Sequence, residues 1–289
     1  MAAAITTPAI SAEATASTAP GNNHLRIIRR TTPCGRATFP RNLSAVARQR
    51  YYRPDLALAH HRGYGFHADA CAPGILALLE PVRARDGLVL ELGCGSGALT
   101  RHLVDAGHRV VATDASPAML ELARKNVPDA DEHRLLAVPD DSLPACDALV
   151  AVGHVLSYLP DEDAIRAALA AAATALRQGG VLAIDMLDLR YGDDLDGAET
   201  RSRVGEDWAV AVKLSRPEER LYVREITAFI RNEDGSWRRD DERHENVLVD
   251  TARLPAFLAT QGIDAGVATS FGAEELPQGL VAVAGTRLR

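Results

Sequence analysis

No stretch of this 289-residue chain approaches the roughly 20 consecutive apolar residues that a membrane-spanning helix needs. Membrane insertion is therefore not expected. Lysine is nearly missing, present only as Lys125 and Lys213, and 32 basic residues face 39 acidic ones for a net charge of -7. That balance argues against a broad phosphate-binding surface, because affinity for nucleic acid comes largely from clustered Lys and Arg. With alanine abundant, the lysine scarcity reads as a mark of a GC-rich genome and not of function. Cysteine is sparse too. Cys34, Cys71, Cys94 and Cys146 form no CxxC pair, so neither a disulfide framework nor a zinc knuckle is expected. Four scattered thiols suit a reducing cytoplasm, the expected location. There is no internal repeat.

Residues 1–45 are rich in Ala, Thr, Ser and Pro without apolar periodicity, and read as a disordered leader. Up to Arg50 the only acid is Glu13, against Arg26, Arg29, Arg30, Arg36, Arg41, Arg48 and Arg50. That composition resembles a transit peptide, but Pro8, Pro20 and Pro33 interrupt any long amphipathic helix, which favours a plain tail. From Tyr51 the pattern becomes ordered. Residues 54–62 and 70–82 predict helices. Strands (88–92, 109–113, 135–138, 148–152, 181–185) then alternate with helices (98–106, 117–126, 162–177). Asp161 is an N-cap candidate for the last helix, and Gly179 and Gly180 its stop. Such alternation implies a parallel sheet covered on both faces.

After Met186 longer strands follow, at 207–214, 220–231 and 237–249. The last two are joined by Asn232-Glu233-Asp234-Gly235-Ser236, a hairpin turn. A helix at 252–261 and strands at 265–270 and 280–286 complete the chain. The domain expectation is a leader at 1–45, a Rossmann-like unit made of 46–190 and 250–289, and an antiparallel insertion at 191–249 covering the acceptor site.

The central motif is Val89-Leu90-Glu91-Leu92-Gly93-Cys94-Gly95-Ser96-Gly97. A strand runs into three glycines and then into a helix. A tight turn lets a ligand approach bare backbone, and the helix end offers free N–H groups. Gly93, Gly95 and Ala98 also satisfy a dinucleotide pattern, G-x-G-x-x-A. Three features favour a different nucleoside. Glu91 lies inside the strand, Asp114 follows the second strand where a carboxylate can accept both ribose hydroxyls, and Asp140 and Asp141 follow the third, near an adenine amino group.

With these residues the sequence resembles the class I S-adenosylmethionine-dependent methyltransferases. The resemblance runs through Glu91–Gly97, Asp114, Asp140 or Asp141, Asp147–Leu156 and Leu176–Leu182. It implies an α/β, Rossmann-like seven-stranded sheet whose last strand, 280–286, is antiparallel, with an inserted antiparallel hairpin or lid after strand five. It implies S-adenosyl-L-methionine as cofactor and S-adenosyl-L-homocysteine as product. Its cofactor residues would be Glu91, Gly93, Cys94, Gly95, Gly97, Asp114, Ala115, Met119, Asp140, Asp141 and Gly153. The Asp140-Asp141-Ser142-Leu143-Pro144 segment is one residue shorter than the common family form, which leaves the choice of adenine-facing aspartate open.

The expected reaction is methyl transfer to an N, O or electron-rich C atom of a small molecule, in secondary metabolism. The Asn/Asp-Pro-Pro-Tyr/Phe signature of many adenine and amide methyltransferases is absent after strand four. The alternatives are a nicotinamide-dependent dehydrogenase and a non-catalytic cofactor-binding protein. Catalytic candidates are His154, which follows strand four and titrates near neutral pH, Tyr158 one turn on, and Tyr52 and His61 from the polar-aromatic stretch 51–67. Tyr64, Arg224, His244 and Glu245 are candidates for acceptor binding. No acid but Asp69 lies at ligand spacing from His60, His61 and His67, so no metal is expected.

Overall fold

Successive residues of a strand face opposite ways, and in this chain both directions lead into a core. The computed structural model describes residues 51–195 and 197–288; the leader expected at 1–45 lies outside them. β1 (Leu88–Leu92) sends Val89 to one side of a sheet, where Val110, Ala148 and Val150 join it. Over that side lie α2 (Phe66–Arg83), α3 (Ala98–Asp105) and α4 (Pro117–Asn126), which contribute Ile75, Leu79, Leu103 and Leu120. Leu90 and Leu92 go to the other side, with Leu149, Leu182 and Ile184. There α5 (Glu162–Ala175) and α6 (Leu254–Thr260) cover them with Leu169 and Leu258.

The remaining strands of this sheet are β2 (Arg109–Asp114), β3 (Glu132–Leu135), β4 (Cys146–Ala151), β5 (Leu176–Leu187), β10 (Ile263–Ala268) and β11 (Leu280–Arg287). Their order is β10-β11-β5-β4-β1-β2-β3. β11 runs antiparallel to both its neighbours, and the other pairings are parallel. The mixed α/β fold and the reversed last strand agree with the expectation. Strand order reverses between β1 and β4, and in sheets of this kind ligands bind outside the carboxyl ends of the strands at that point.

A second sheet, β6 (Glu199–Val204), β7 (Trp208–Glu218), β8 (Leu221–Arg231) and β9 (Trp237–Val247), is antiparallel throughout. β8 and β9 meet in the expected turn, where Gly235 takes φ 84° and the Asn232 N–H donates to Ser236 O at 2.8 Å. α1 (Pro54–Gly63) buries Leu56 and Ala59 against Trp208, Val210, Ala228 and Ile230 of this sheet. Among the described residues no helix is long and apolar enough to cross a membrane.

Four local expectations change. β3 covers 132–135, not 135–138. It is an edge strand, so polar residues suffice to form it, and the apolar run lies beyond it with Leu136 turned into the core. α5 does stand on Asp161, whose carboxylate accepts from the Ala164 N–H at 2.8 Å, but it stops at Ala175. Leu176 already pairs with Cys146, so Gly179 and Gly180 lie in β5 where it passes close to the Asp147 carbonyl. The helix at 252–261 is a 3-10 turn (Thr251–Arg253) followed by α6, with a proline in its first turn. β6 was not expected at all. Its sequence, Glu-Thr-Arg-Ser-Arg-Val, is exposed or half-buried and carries no apolar alternation.

Candidate active site

The first half of the site is the turn that leaves β1. Gly93, Gly95 and Gly97 take φ 66°, 55° and 89°, values that favour glycine. A Cβ on Gly95 or on Gly153 (φ 97°) would meet nothing within 4 Å, so both backbones face open space. A Cβ on Gly93 would lie 2.5 Å from the Val155 side chain. That contact locks the turn against the segment after β4. The Asp114 carboxylate, at the end of β2, accepts from the Gly95 N–H at 2.8 Å and the Ser116 N–H at 2.7 Å. A carboxylate has roughly four acceptor sites, so this leaves capacity for a pair of hydroxyls. Burial raises its pKa to about 6 against those backbone bonds. Glu91 is 2% exposed, and burial pushes it up to about 7 even though the Thr100 hydroxyl donates to it at 2.6 Å.

Sequence reasoning missed the residue that joins this half to the next. Asp185, on β5, is buried and accepts from the Gly153 N–H (2.9 Å), the His154 N–H (2.5 Å) and His67 Nε2 (2.7 Å). Burial is the largest single influence on His67 and opposes its charge, but the hydrogen bond and charge of Asp185 together with the contact to Cys71 overcome it and raise its pKa to about 10. The imidazolium–carboxylate pair therefore holds the turn after β4 from beneath. His154 itself adopts the left-handed conformation (φ 48°). Its Nδ1 is buried without a partner. Burial first, then the cations of Arg224 and His67, drive its pKa well below 6.5. It is a neutral imidazole.

Tyr158 is the centre of the second half. Its hydroxyl lies 2.9 Å from the Tyr52 hydroxyl and 3.3 Å from His244 Nδ1, and it accepts from Arg224. His244, fully buried, meets Glu242 through Nε2 at 2.8 Å. Burial lowers its pKa more than that bond raises it, so Nε2–H donates to the carboxylate and Nδ1 accepts from Tyr158. Period two explains how one sheet presents this group. Ile226, Ala228 and Ile230 of β8 face α1, and two steps on along the same face comes Arg224, paired across to His244. The His154 ring stacks on Tyr158 at 5.6 Å, and Tyr51 and Tyr52 lie 4.8 and 4.9 Å from His244. Aromatics make up only 4% of the chain and six of them are tyrosines. Tyr51, Tyr52 and Tyr158 gather here, and Tyr191 packs edge-on against Tyr222 at 4.9 Å.

Other expected residues lie apart from that cluster. His61 Nδ1 contacts the Ser96 hydroxyl (3.1 Å) and Asn126 Nδ2 (3.2 Å), which places it over the glycine turn. Its neighbour His60 is the one drawn inward, stacked on Tyr64 at 5.4 Å and edge-on to Tyr52 at 5.2 Å. Burial lowers His60 to about 4. Tyr64 also lies under Arg203, 5.5 Å from its ring. Glu245 alternates to the outer face of β9, bonded to Arg243 at 3.2 Å, because adjacent strand residues cannot share a face. Met119 is 2% exposed, and Cys94 is buried with its thiol pushed well above 9, first by burial. Ala115 and Asp140 are exposed, and Asp141 accepts from the Ala137 N–H at 2.9 Å. Among the described residues no group of three or more His, Cys, Asp or Glu is arranged to hold a metal ion.

Residues 89–180 match a family model described as a methyltransferase domain. Over 120 residues the chain is 31% identical to a ubiquinone biosynthesis O-methyltransferase of Xanthomonas axonopodis pv. citri, covering 39% of this chain and 47% of that one. Over 120 residues it is 32% identical to glycine N-methyltransferase of Mus musculus, covering 36% and 41%. These matches thus span less than half the length of either relative. Among solved structures, a sugar N-methyltransferase from a Streptoalloteichus species superposes with TM-score 0.67 at 22% identity, over 90% of this chain and all of that one. An S-adenosylmethionine-dependent methyltransferase from Clostridium acetobutylicum gives 0.65 at 16% identity, over 76% and 92%. At such identities the superpositions speak for the fold.

Proposed function

From its place in the class I S-adenosylmethionine-dependent methyltransferase family, we propose that this chain methylates an N, O or electron-rich C atom of a small molecule in secondary metabolism. The carrying observation is the open backbone at Gly95 and Gly153, beside the Asp114 carboxylate on one side and the polar, aromatic Tyr158 cluster on the other. The open backbone at Gly95 and Gly153 and the Asp114 carboxylate fit S-adenosylmethionine. Glu91, Gly93, Cys94, Gly97, Ala115, Met119, Asp140, Asp141 and Gly153 complete its proposed surroundings. When bound, this cofactor supplies an activated methyl group on a sulfonium.

The chain's own task is to align, to exclude water and to deal with one proton. Asp185 fixes the Gly153–His154 backbone, and neutral His154, stacked on Tyr158, presents its unpartnered Nδ1 to an acceptor. A base is needed only when the acceptor arrives protonated; His154 Nδ1 is the unengaged imidazole nitrogen for that role. The second sheet covers the acceptor, with Tyr64 at its edge.

Calorimetric titration with S-adenosylhomocysteine and with NADH tests the cofactor reading. The expected result is binding of the first alone. Asp114→Ala should weaken it by about 1.5–3 kcal/mol for a lost charged hydrogen bond. NADH binding, or an unchanged constant in the variant, would reject this reading.

A further inference from the structure

Among the described residues Arg224 is a cation with no anion beside it. Its Nη2 bonds to the Tyr158 hydroxyl and, at 3.1 Å, to Asn246 Oδ1, and among the described residues no carboxylate lies within ion-pairing distance. Its Nε–H is buried and unpartnered. Arginine cannot discharge itself by losing a proton. A buried charge of this kind is costly unless something compensates it.

The carboxylate on the same sheet face, Glu242, is already engaged. It accepts from the Tyr52 N–H and the Arg53 N–H, both at 2.7 Å, and from His244 at 2.8 Å. Asp185 holds His67 and two backbone N–H groups. The imidazoles of His60, His154 and His244 are all depressed by burial and neutral. The phenols of Tyr158 and Tyr222 are raised by burial and stay protonated. Among the described residues these groups around the guanidinium are thus either neutral or spoken for.

Beside it, Asn246 is fully buried and its Nδ2 is also unpartnered. The amide orientation is settled, since Arg224 can only donate and so must face the amide oxygen. Seven buried polar side-chain atoms lack a partner among the described residues. Arg224 Nε, Asn246 Nδ2 and His154 Nδ1 are three of them, and all belong to the Tyr158 cluster. Two of the three are obligate donors. Unsatisfied buried donors around an uncompensated cation ask for a ligand rich in acceptors and negative in charge.

We infer that the acceptor carries an oxyanion, a carboxylate or a phosphate-type group, which Arg224 and Asn246 bind while its nucleophile faces His154. This rests on the methyltransferase reading for its purpose but not for its test. The full chain is titrated calorimetrically with 4-hydroxybenzoate, phenyl phosphate and neutral 4-hydroxybenzamide, with and without saturating S-adenosylhomocysteine. At least one anion should bind tenfold or more tightly than the amide, and the two anions tell carboxylate from phosphate recognition. Arg224→Gln should reduce the preferred anion to the level of the amide and leave the S-adenosylhomocysteine constant within twofold. The wild-type comparison stands even if that variant does not fold. Equal binding of anions and amide by the wild type, no binding by any of them, or a preference that survives in Arg224→Gln overturns the inference. Failure of S-adenosylhomocysteine to bind would count against the methyltransferase reading alone.

Discussion

Glu91 sits where an ionised carboxylate is least comfortable, buried inside β1 with one hydroxyl for company. Its pKa, about 7 in the fold against 4.5 when solvated, makes it a source of pH-dependent instability. Between those values the folded state binds more protons than the unfolded chain, so stability falls as pH rises and levels off above 7. Glutamine can keep the bond from Thr100 and carries no charge. The melting temperature of Glu91→Gln should therefore gain on wild type from pH 4.5 to 7 and stay ahead by a constant margin beyond. At pH 8 the margin should be roughly 1–3 kcal/mol. Thermal melts at pH 5, 6, 7 and 8 give the answer, and a margin independent of pH would refute the burial argument. An acid kept at such a cost makes sense where a ligand's positive charge offsets it, as the sulfonium cofactor proposed for this site would.

At the scale of elements, what was legible followed burial. β1 and most of the parallel strands carry their own signature, because each buries two faces and must be apolar nearly throughout, and α4 is marked by its Ser116 cap and the proline in its first turn. β3 and β6 are edge strands with little to bury, and no pattern marks them. The glycine turn and Asp114 were legible because bare backbone and an acid at a strand end leave a local trace. The His67–Asp185 pair was not, since 118 residues separate its members and neither is unusual where it stands. Nor does sequence say that His60, and not His61, turns inward. At its end α1 meets the second sheet at Trp208, which packs against Gly63 and Gly205; a Cβ on either glycine would come within 2.2 Å of its ring. Gly63→Ala should therefore push the indole out, at a cost of about 1–3 kcal/mol for overpacking. With the exposed Trp237 replaced by Phe, tryptophan emission should shift to the red. Unchanged emission and stability would mean that α1 and the sheet are not held together there.

Across the whole molecule, both halves of the site are tied by the short stretch before α1. Tyr52 gives its N–H to Glu242 on β9 and its hydroxyl to Tyr158, and its carbonyl accepts from the Ser116 hydroxyl at the start of α4. Its backbone is held in the left-handed conformation (φ 53°) by those contacts. This strap crosses from the second sheet to the nucleoside side, so loosening its anchor should be felt at both ligands. Glu242→Gln retains one acceptor oxygen but sets an amide N–H against the Tyr52 or Arg53 N–H. Losing about one such bond, roughly 1.4 kcal/mol, corresponds to tenfold in an equilibrium constant. Release of labelled S-adenosylhomocysteine, chased with excess unlabelled compound, should accelerate by about that factor, and affinity for the acceptor should drop with it. Tyr52→Phe keeps the backbone ties and removes only the hydroxyl. It should weaken the acceptor and leave the release rate alone. If Glu242→Gln changes neither rate nor affinity, or if Tyr52→Phe hastens release as much as Glu242→Gln does, the two sites are not coupled through this strap.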